Sequence, residues 1–560
     1  MKTLKHCIAS LLFVIVMTVA LAAEMRTVAV ISVADIDTAV KTLKAVTTQA
    51  GYPDAMAQVE MQLSMLQGFD LKQPIGIVLL ADEGDFAGYA FVPVSDISAT
   101  PLGMLLAMGE RQADGSIMLP EGVIPVPAYV KQSGKWAFIS VLKELPKTLP
   151  TDPVRLLESM DKEYLVGVKA NVANLPKDMV MGALSMFRMM AQMQAQSEAD
   201  LEALDASFDQ IEMLLNELKT FSFGLAVTPQ NDIVFDVTAE AVAGSVLAAD
   251  MASVAAAKTG QIGFFQPQDS IAAFVAAGVL NALVKQQYNA QLTSFFEGAR
   301  ESIEEGDLGA DEIAAAKSVL DNVEAMLKST IDTGKIDVGL TWLKNGTLLA
   351  GAAITDGNKL QLALEKSLVA VPDEFRQFVK FNTEQFEGYA VSTIAVPLSQ
   401  IPAPTDDMPK ELASKTVSLQ IAIKDTAIAL ALGLEDSVLT DLKKAITASK
   451  ESVSLPQTNF VLTPGNLVDF VKLFAPSDPV QLEQFDMGME MLRAFPPDAQ
   501  ITGSETYSGN TQKSKIVVSG KLLPGIGKFI GMGIEGYRQG MEFGRQRAFE
   551  NMNDDFDFDF

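Results

Sequence analysis

Histidine and cysteine are almost absent from this 560-residue chain: His6 is the only histidine and Cys7 the only cysteine. Both lie in a segment that reads as a secretory signal. Lys2 and Lys5 make a basic start, residues 8–19 an apolar run, and Ala20-Leu21-Ala22 a small-residue cleavage site. An uncleaved anchor is the weaker alternative, because the apolar run is short for a membrane span and ends in small residues. No second stretch reads as a span, so no stable membrane span is expected after signal cleavage. A mature chain starting near Ala23 then has neither imidazole nor thiol. That excludes Ser-His-Asp and cysteine catalysis, zinc sites built on His or Cys, attached haem and disulfides. An oxidising compartment permits disulfides without requiring them, so packing alone must hold the fold.

Basic residues are also scarce. Lysine and arginine number 43 against 70 acids, for a formal charge of −27. Loss of residues 1–22 removes two lysines and no acid and takes the charge to −29. No Lys/Arg cluster interrupts it. Such a surface repels nucleic acid and anionic membrane, and no nucleic-acid partner is expected. Several chemical motifs are missing too: a Walker Gly-Lys-Ser/Thr, a Gly-x-Ser-x-Gly elbow, a supported Ser-x-x-Lys, and acids at EF-hand spacing. No catalytic residue, metal or cofactor is assigned, and the non-enzymatic reading is preferred.

What is present is periodicity. Residues 164–173 set Val166, Val168, Ala170 and Val172 on one side, the pattern of a half-buried strand. Asn174 stands as an N-cap with Pro176 in the first turn of a Met- and Ala-rich helix to about 196. A second helix opens at Ser197 with Asp200 three residues on, a capping-box arrangement. Its Leu201, Leu204, Phe208, Ile211, Leu214 and Leu218 form one stripe. Phe221, Phe223, Leu225 and Val227, a turn at 228–232, and Ile233, Phe235 and Val237 make a hairpin with one apolar face. A helix closes the stretch near 256.

The same order of strand, two helices, hairpin and helix is read at 27–108, 261–370 and 458–546. The third of these begins on a strand at 261–265, with Phe274 and Val275 in a second short apolar run. Its hairpin turns at Asn345-Gly346, which suits a type I′ turn. Interludes at 111–160 and 373–452 carry further hairpins. The expected fold is α+β, with mainly antiparallel sheets covered by long helices. It forms two pseudo-repeated halves built from strand–helix–helix–hairpin–helix units. The domains are a signal peptide (1–22), an N-terminal half (24–258), a C-terminal half (259–545) and an acidic, Phe-rich tail (546–560).

Four features compete as sites. Met179, Met186, Met190 and Met193 line a helix face with Met189 beside them. Soft thioethers suit Cu(I), but Met also fills irregular cores, and the core reading is preferred. Glu304-Glu305, Asp406-Asp407 and the loop at 82–85 could serve as acid/base pairs or calcium ligands, and a solvated face explains them better. Gly536, Gly540 and Gly544 stand four apart and suit close helix packing, including packing between subunits. The tail 553–560 (NDDFDFDF) alternates acid and Phe; Phe556, Phe558 and Phe560 are the candidate partner-docking residues, with an unstructured tail an even alternative. The expected function is an exported, non-catalytic binding or structural protein of the cell envelope, periplasmic or extracellular. The alternatives are a periplasmic carrier of apolar ligands and a His-independent hydrolase. Partners are expected through the tail or the Gly-rich helix, and the sequence assigns no oligomeric state.

Overall fold

A computed structural model describes residues 25–64, 67–82, 86–119, 128–140, 149–193, 198–306, 309–367, 371, 373–400, 410–434, 436–450, 453, 457–476 and 479–532. The signal segment, Ser197, Asp406-Asp407, most of the 82–85 loop, the Gly536/Gly540/Gly544 stripe and the tail with Phe556, Phe558 and Phe560 lie outside the described residues. The fold is α+β with antiparallel sheet. The chain divides into two compact units: Met1–Lys44 with Met56–Ala257 and Gly503–Val517, and Ala45–Ala55 with Lys258–Thr502 and Val518–Phe560.

The elements follow in chain order. They begin β1 (Arg26–Val33), α1 (Ile36–Gln49), α2 (Ala57–Ser64), β2 (Ile75–Ala81), β3 (Phe86–Pro93) and α3 (Pro101–Met108). Then come β4 (Glu110–Arg111), β5 (Ile117–Met118), β6 (Tyr129–Ser133), β7 (Trp136–Ser140), β8 (Val166–Ala170), α4 (Lys177–Gln192), α5 (Glu198–Glu217), β9 (Leu218–Val227), β10 (Ile233–Ala241) and α6 (Val246–Ala255). The chain continues through β11 (Ser270–Val279), α7 (Ala282–Glu305), α8 (Ala310–Asp332), β12 (Lys335–Leu343), β13 (Leu348–Ala353), α9 (Gly357–Ser367), β14 (Val379–Phe386), β15 (Tyr389–Pro397), β16 (Thr416–Lys424), β17 (Ala427–Gly433) and α10 (Val438–Ala448). It ends with β18 (Thr458–Leu462), α11 (Leu467–Lys472), α12 (Pro479–Arg493), β19 (Ile501–Ser508), β20 (Thr511–Val518) and a last helix, α13, over 523–532.

In the first unit the strands run β4–β5–β6–β7–β3–β2–β1–β8–β9–β10, each pair antiparallel. β20 pairs with β10 and carries β19 with it. Asn510 locks that hairpin: its carbonyl accepts from the Ala241 N–H at 2.9 Å, and its Nδ2 donates to the Ala241 carbonyl at 2.7 Å. In one face Val30, Val78, Tyr89, Phe91 and Phe138 pack under Leu157 and Met160. These last two sit on a short connection between β7 and β8, where Leu157 ends a 3₁₀ turn and Met160 starts one turn of helix.

The second unit's sheet runs β14–β15–β16–β17–β13–β12–β11–β18, again antiparallel throughout. One face packs Leu349, Ala429, Ala431 and Ala422 under Phe264 and the α10 residues Val438, Leu442 and Ile446. The long helices start on capped ends. Asn281 accepts from the Val284 N–H at 2.9 Å, and Glu312 reaches back to the Gly309 N–H at 2.8 Å.

Three local expectations change. Residues 262–264 are a 3₁₀ turn, and the strand expected there is Ser270–Val279. The Gly263 N–H is taken by Ser449 Oγ at 2.9 Å, and a Cβ on Gly263 would come 2.0 Å from the Ala445 carbonyl, so this backbone is seated on α10 and unable to join a ladder. Asn174 does not cap α4; Pro176 holds that place, and Asn174 Nδ2 instead donates to the Thr27 carbonyl at 2.8 Å. At Asn345-Gly346 only Gly346 takes positive φ, at 86°. Asn345 Oδ1 accepts from the Thr347 N–H at 3.0 Å, an Asx turn that replaces the type I′ geometry.

Candidate functional site

Residues directly opposite one another in an antiparallel pair point to the same face. The face of the second unit's sheet opposite Phe264 can therefore be read row by row. One row is Leu462, Ala272, Trp342, Leu348, Leu432, Leu419, Ile394 and Val379, from β18 across to β14. All eight are apolar. The next row is Phe460, Phe274, Leu340, Ala350, Leu430, Ile421 and Ser392, apolar up to its last member.

Helices cover this face unevenly. Towards Ile423, Met326 of α8 and Leu360 of α9 pack onto it with Ile354. Over Trp342, Phe470 of α11 lies edge-on with ring centres 5.1 Å apart. Leu340, Leu348 and Leu432, neighbours across β12, β13 and β17, stay exposed, as does Leu462 on β18. Each leaves part of its side chain in water and so forgoes part of the about 1.5–3 kcal/mol that full burial supplies. A contiguous set of them is what interaction surfaces look like.

The first unit repeats the arrangement. Val237, Phe223, Val168, Ile31, Ile77, Ala90, Ile139, Val130 and Ile117 form one row from β10 to β5. Leu105 and Leu106 of α3 cover its Ile139–Val130 end, while Ile77 is exposed. A signal for these rows was present in the alternation of each strand. Their alignment into one face was not, because register is set by pairing.

Beside the second unit's face opens a polar cleft of about 480 Å³, with Asn358, Gln361, Gln385, Lys424, Asp425 and Thr426 in its lining. The Lys424 ammonium lies over the Tyr389 ring, 4.4 Å from its centre. Amides, one ammonium and one carboxylate can orient a polar ligand.

Charged clusters outside the cleft join helix pairs. Arg188 of α4 donates to Asp205 at 2.8 Å and to Asp209 at 3.0 Å, both on α5. Arg300 of α7 donates to Asp321 at 2.7 Å and to Glu324, both on α8, and Lys328 adds a 2.7 Å ion pair to Glu324. Hydrogen bonds from Lys328 and Arg300 hold the Glu324 carboxyl below its ordinary range, and the bond from Arg188 does the same for Asp205. That is the wrong direction for a general acid near neutral pH. Glu304 is in an ion pair with Lys317, so the Glu304-Glu305 pair includes a helix–helix clamp. Among the described residues no three His, Cys, Asp or Glu side chains are grouped to hold a metal ion, and no helix is long and apolar enough to cross a membrane.

The remaining sites divide. Met179 packs beside Val28, Ala81 and Phe86, but Met186, Met189, Met190 and Met193 are exposed, so the core reading fails for these four. The described part of the Gly-rich helix uses its glycines within the second unit. A Cβ on Gly527 would come 1.7 Å from the Ala50 carbonyl, one on Gly531 2.8 Å from the Tyr52 hydroxyl, and one on Gly525 2.4 Å from the Phe495 ring. The docking residues Phe556, Phe558 and Phe560 lie outside the described residues. Comparison of the chain with protein-family models, with curated proteins and with solved structures found no match in any of the three.

Proposed function

We propose that this is an exported, non-catalytic binding protein of the cell envelope, and that it binds through the open apolar face of its sheet. The observation that carries the reading is the exposed group Leu340, Leu348, Leu432 and Leu462 in a face apolar across eight strands. A chain of charge −27 with 43 basic residues keeps such a surface soluble. The Glu324 and Asp205 carboxyls sit in ion pairs with lowered pKa, which favours binding over hydrolysis. A carrier of apolar ligands is the second reading, favoured by the absence of any charged residue from the Leu462–Val379 row.

The test uses the full chain and its Leu348→Asp/Leu432→Asp variant. Both are offered a fluorescent fatty-acyl probe and, separately, cross-linked in the envelope fraction. Loss of cross-linked partners alone supports the binding protein, and loss of probe uptake supports the carrier. If the folded variant keeps both, the face is not the binding surface.

The same reading includes a tandem duplication of residues 24–258 and 259–545. Matching topology supports it: β1 pairs with β2 and β8 as β11 pairs with β12 and β18, and β3 meets β7 as β13 meets β17. In each half an Arg on one long helix clamps two acids on the next. Phe556, Phe558 and Phe560 remain a proposed docking peptide, tested by deleting residues 551–560 and comparing captured partners.

A further inference from the structure

Four methionines at the C-terminal end of α4 point away from the residues that hold the helix, whereas Met179 near its start is packed. Met186, Met189, Met190 and Met193 are 52%, 57%, 37% and 73% exposed. At 3.6 residues per turn they fall within an arc of about 100° on one side of the helix. Gly182 lies on the same arc a turn earlier, and nothing comes within 4 Å of where its Cβ would be. The buried Leu184 and the clamped Arg188 lie roughly opposite, about 150° or more from the centre of the arc. Asp205 and Asp209 hold the Arg188 guanidinium against α5, so the one charge on this stretch is neutralised and turned from the sulfurs.

A stripe of this kind is not core, and these four thioethers gain only part of the packing that burial would give them. What a thioether offers is a neutral, soft donor. It suits Cu(I) or Ag(I) and is a poor ligand for Zn(II), Mg(II) or Ca(II). Neighbours three and four apart on a helix have Cβ atoms about 5–6 Å apart. Methionine's three rotatable bonds can then bring three sulfurs to one ion without moving the backbone. The export expected for this chain would leave no thiol or imidazole to compete, and its negative charge raises the local concentration of cations.

We infer that Met186, Met189, Met190 and Met193 form a surface site for a soft monovalent ion, Cu(I) by class, held by three sulfurs at a time. The ion enters and leaves as Cu(I), and no electron is transferred. The site is separate from the apolar sheet face and stands without it.

The test titrates Cu(I) anaerobically into the full chain carrying Cys7→Ser, in competition with a chromogenic Cu(I) chelator. About one ion per chain is expected to be retained, with Ag(I) bound likewise and Zn(II) not bound. M186L/M189L/M190L/M193L keeps apolar volume and helix propensity. It is expected to keep its circular dichroism and lose at least about tenfold in Cu(I) affinity. The single variants Met190→Leu and Met193→Leu, each expected to weaken binding, keep the test decisive if the fourfold variant fails to fold. Failure of the parent chain to compete for Cu(I) overturns the proposal. So does a four-leucine variant that binds as tightly as the parent, which would place the ion on other residues.

Discussion

The ring of Phe264 lies against Gly351, where an added Cβ would come 2.4 Å from the ring's Cδ2 atom. Gly339 on the neighbouring strand meets the Phe264 Cβ in the same way, at 2.7 Å. Two glycines, poor strand formers by propensity, make the slot that buries one aromatic completely. The slot joins a 3₁₀ turn to the sheet and so settles which face of the second unit is closed.

Gly351→Ala fills that slot. Overpacking a tight core costs about 1–3 kcal/mol, and the denaturation midpoint should fall accordingly. Gly278→Ala is the control, since nothing lies within 4 Å of its Cβ position on β11. Equal midpoints for the two variants would mean that Phe264 does not depend on the glycine.

Leu348 and Leu349 are chain neighbours with opposite fates, 37% and 0% exposed. Leu349→Ala removes a fully buried side chain and should cost about 2–5 kcal/mol in urea unfolding. Leu348→Ser should cost under about 1 kcal/mol and lower the binding of a hydrophobic dye. A larger stability loss at 348 than at 349 would reverse the assignment of the two faces.

Ser32 on β1 buries its hydroxyl, which has no hydrogen-bond partner among the described residues. Ser32→Ala removes that unmet donor at little change in volume. Stability should rise by up to about 1–2 kcal/mol. A lower thermal midpoint for the alanine variant would mean that the hydroxyl is satisfied in solution.

Acid should loosen the helix pairs. The Glu324 and Asp205 carboxyls sit below their ordinary range in the folded chain, through hydrogen bonds from Lys328 and Arg300 and from Arg188. Their contribution is therefore present above the unfolded carboxylate pKa and is lost as pH falls through the lowered folded value. The thermal midpoint should decline below the ordinary carboxylate range, and Glu324→Gln should flatten that decline. Parallel pH profiles for the parent and Glu324→Gln would show that the Arg300 clamp plays no part.

Alkali should act through buried phenols. Burial raises the pKa of Tyr89 and Tyr389 above the ordinary tyrosine value. The folded chain keeps those protons after the unfolded chain has lost them, so stability falls as pH rises past that value. Tyrosinate absorbance should lag behind that of free tyrosine until the fold opens. Titration of all eight tyrosines at the free value in the folded chain would contradict the burial.

Much of the element order could be read from side-chain periodicity. β8 and the β9–β10 hairpin alternate cleanly, and the α5 leucines recur at helical spacing, because each pattern reports local geometry. The strand read at 261–265 failed because the apolar run Ile262–Phe264 is buried by a turn against α10 and two strand glycines. Apolar content alone does not distinguish such a turn from a strand. Asn174 had the right residue type for a cap, but the Thr27 carbonyl, distant in sequence, took its side chain. The methionine stripe was visible as a stripe, yet whether it faced core or water depended on where Arg188 and Leu184 were anchored.

The sequence by itself determined how scarce imidazole, thiol and basic groups are in this protein. With His6 and Cys7 as its only imidazole and thiol, and 70 acids against 43 bases, that scarcity and the net negative charge follow from composition without any coordinates. It also determined most strands and helices, since their periods are local. Only the tertiary structure decided that Leu348 lines up with Leu432 and Trp342 while Leu349 turns to the core, and that Met186 through Met193 face water. Faces and exposure depend on register and on contacts between residues far apart in the chain, and no local pattern carries that information.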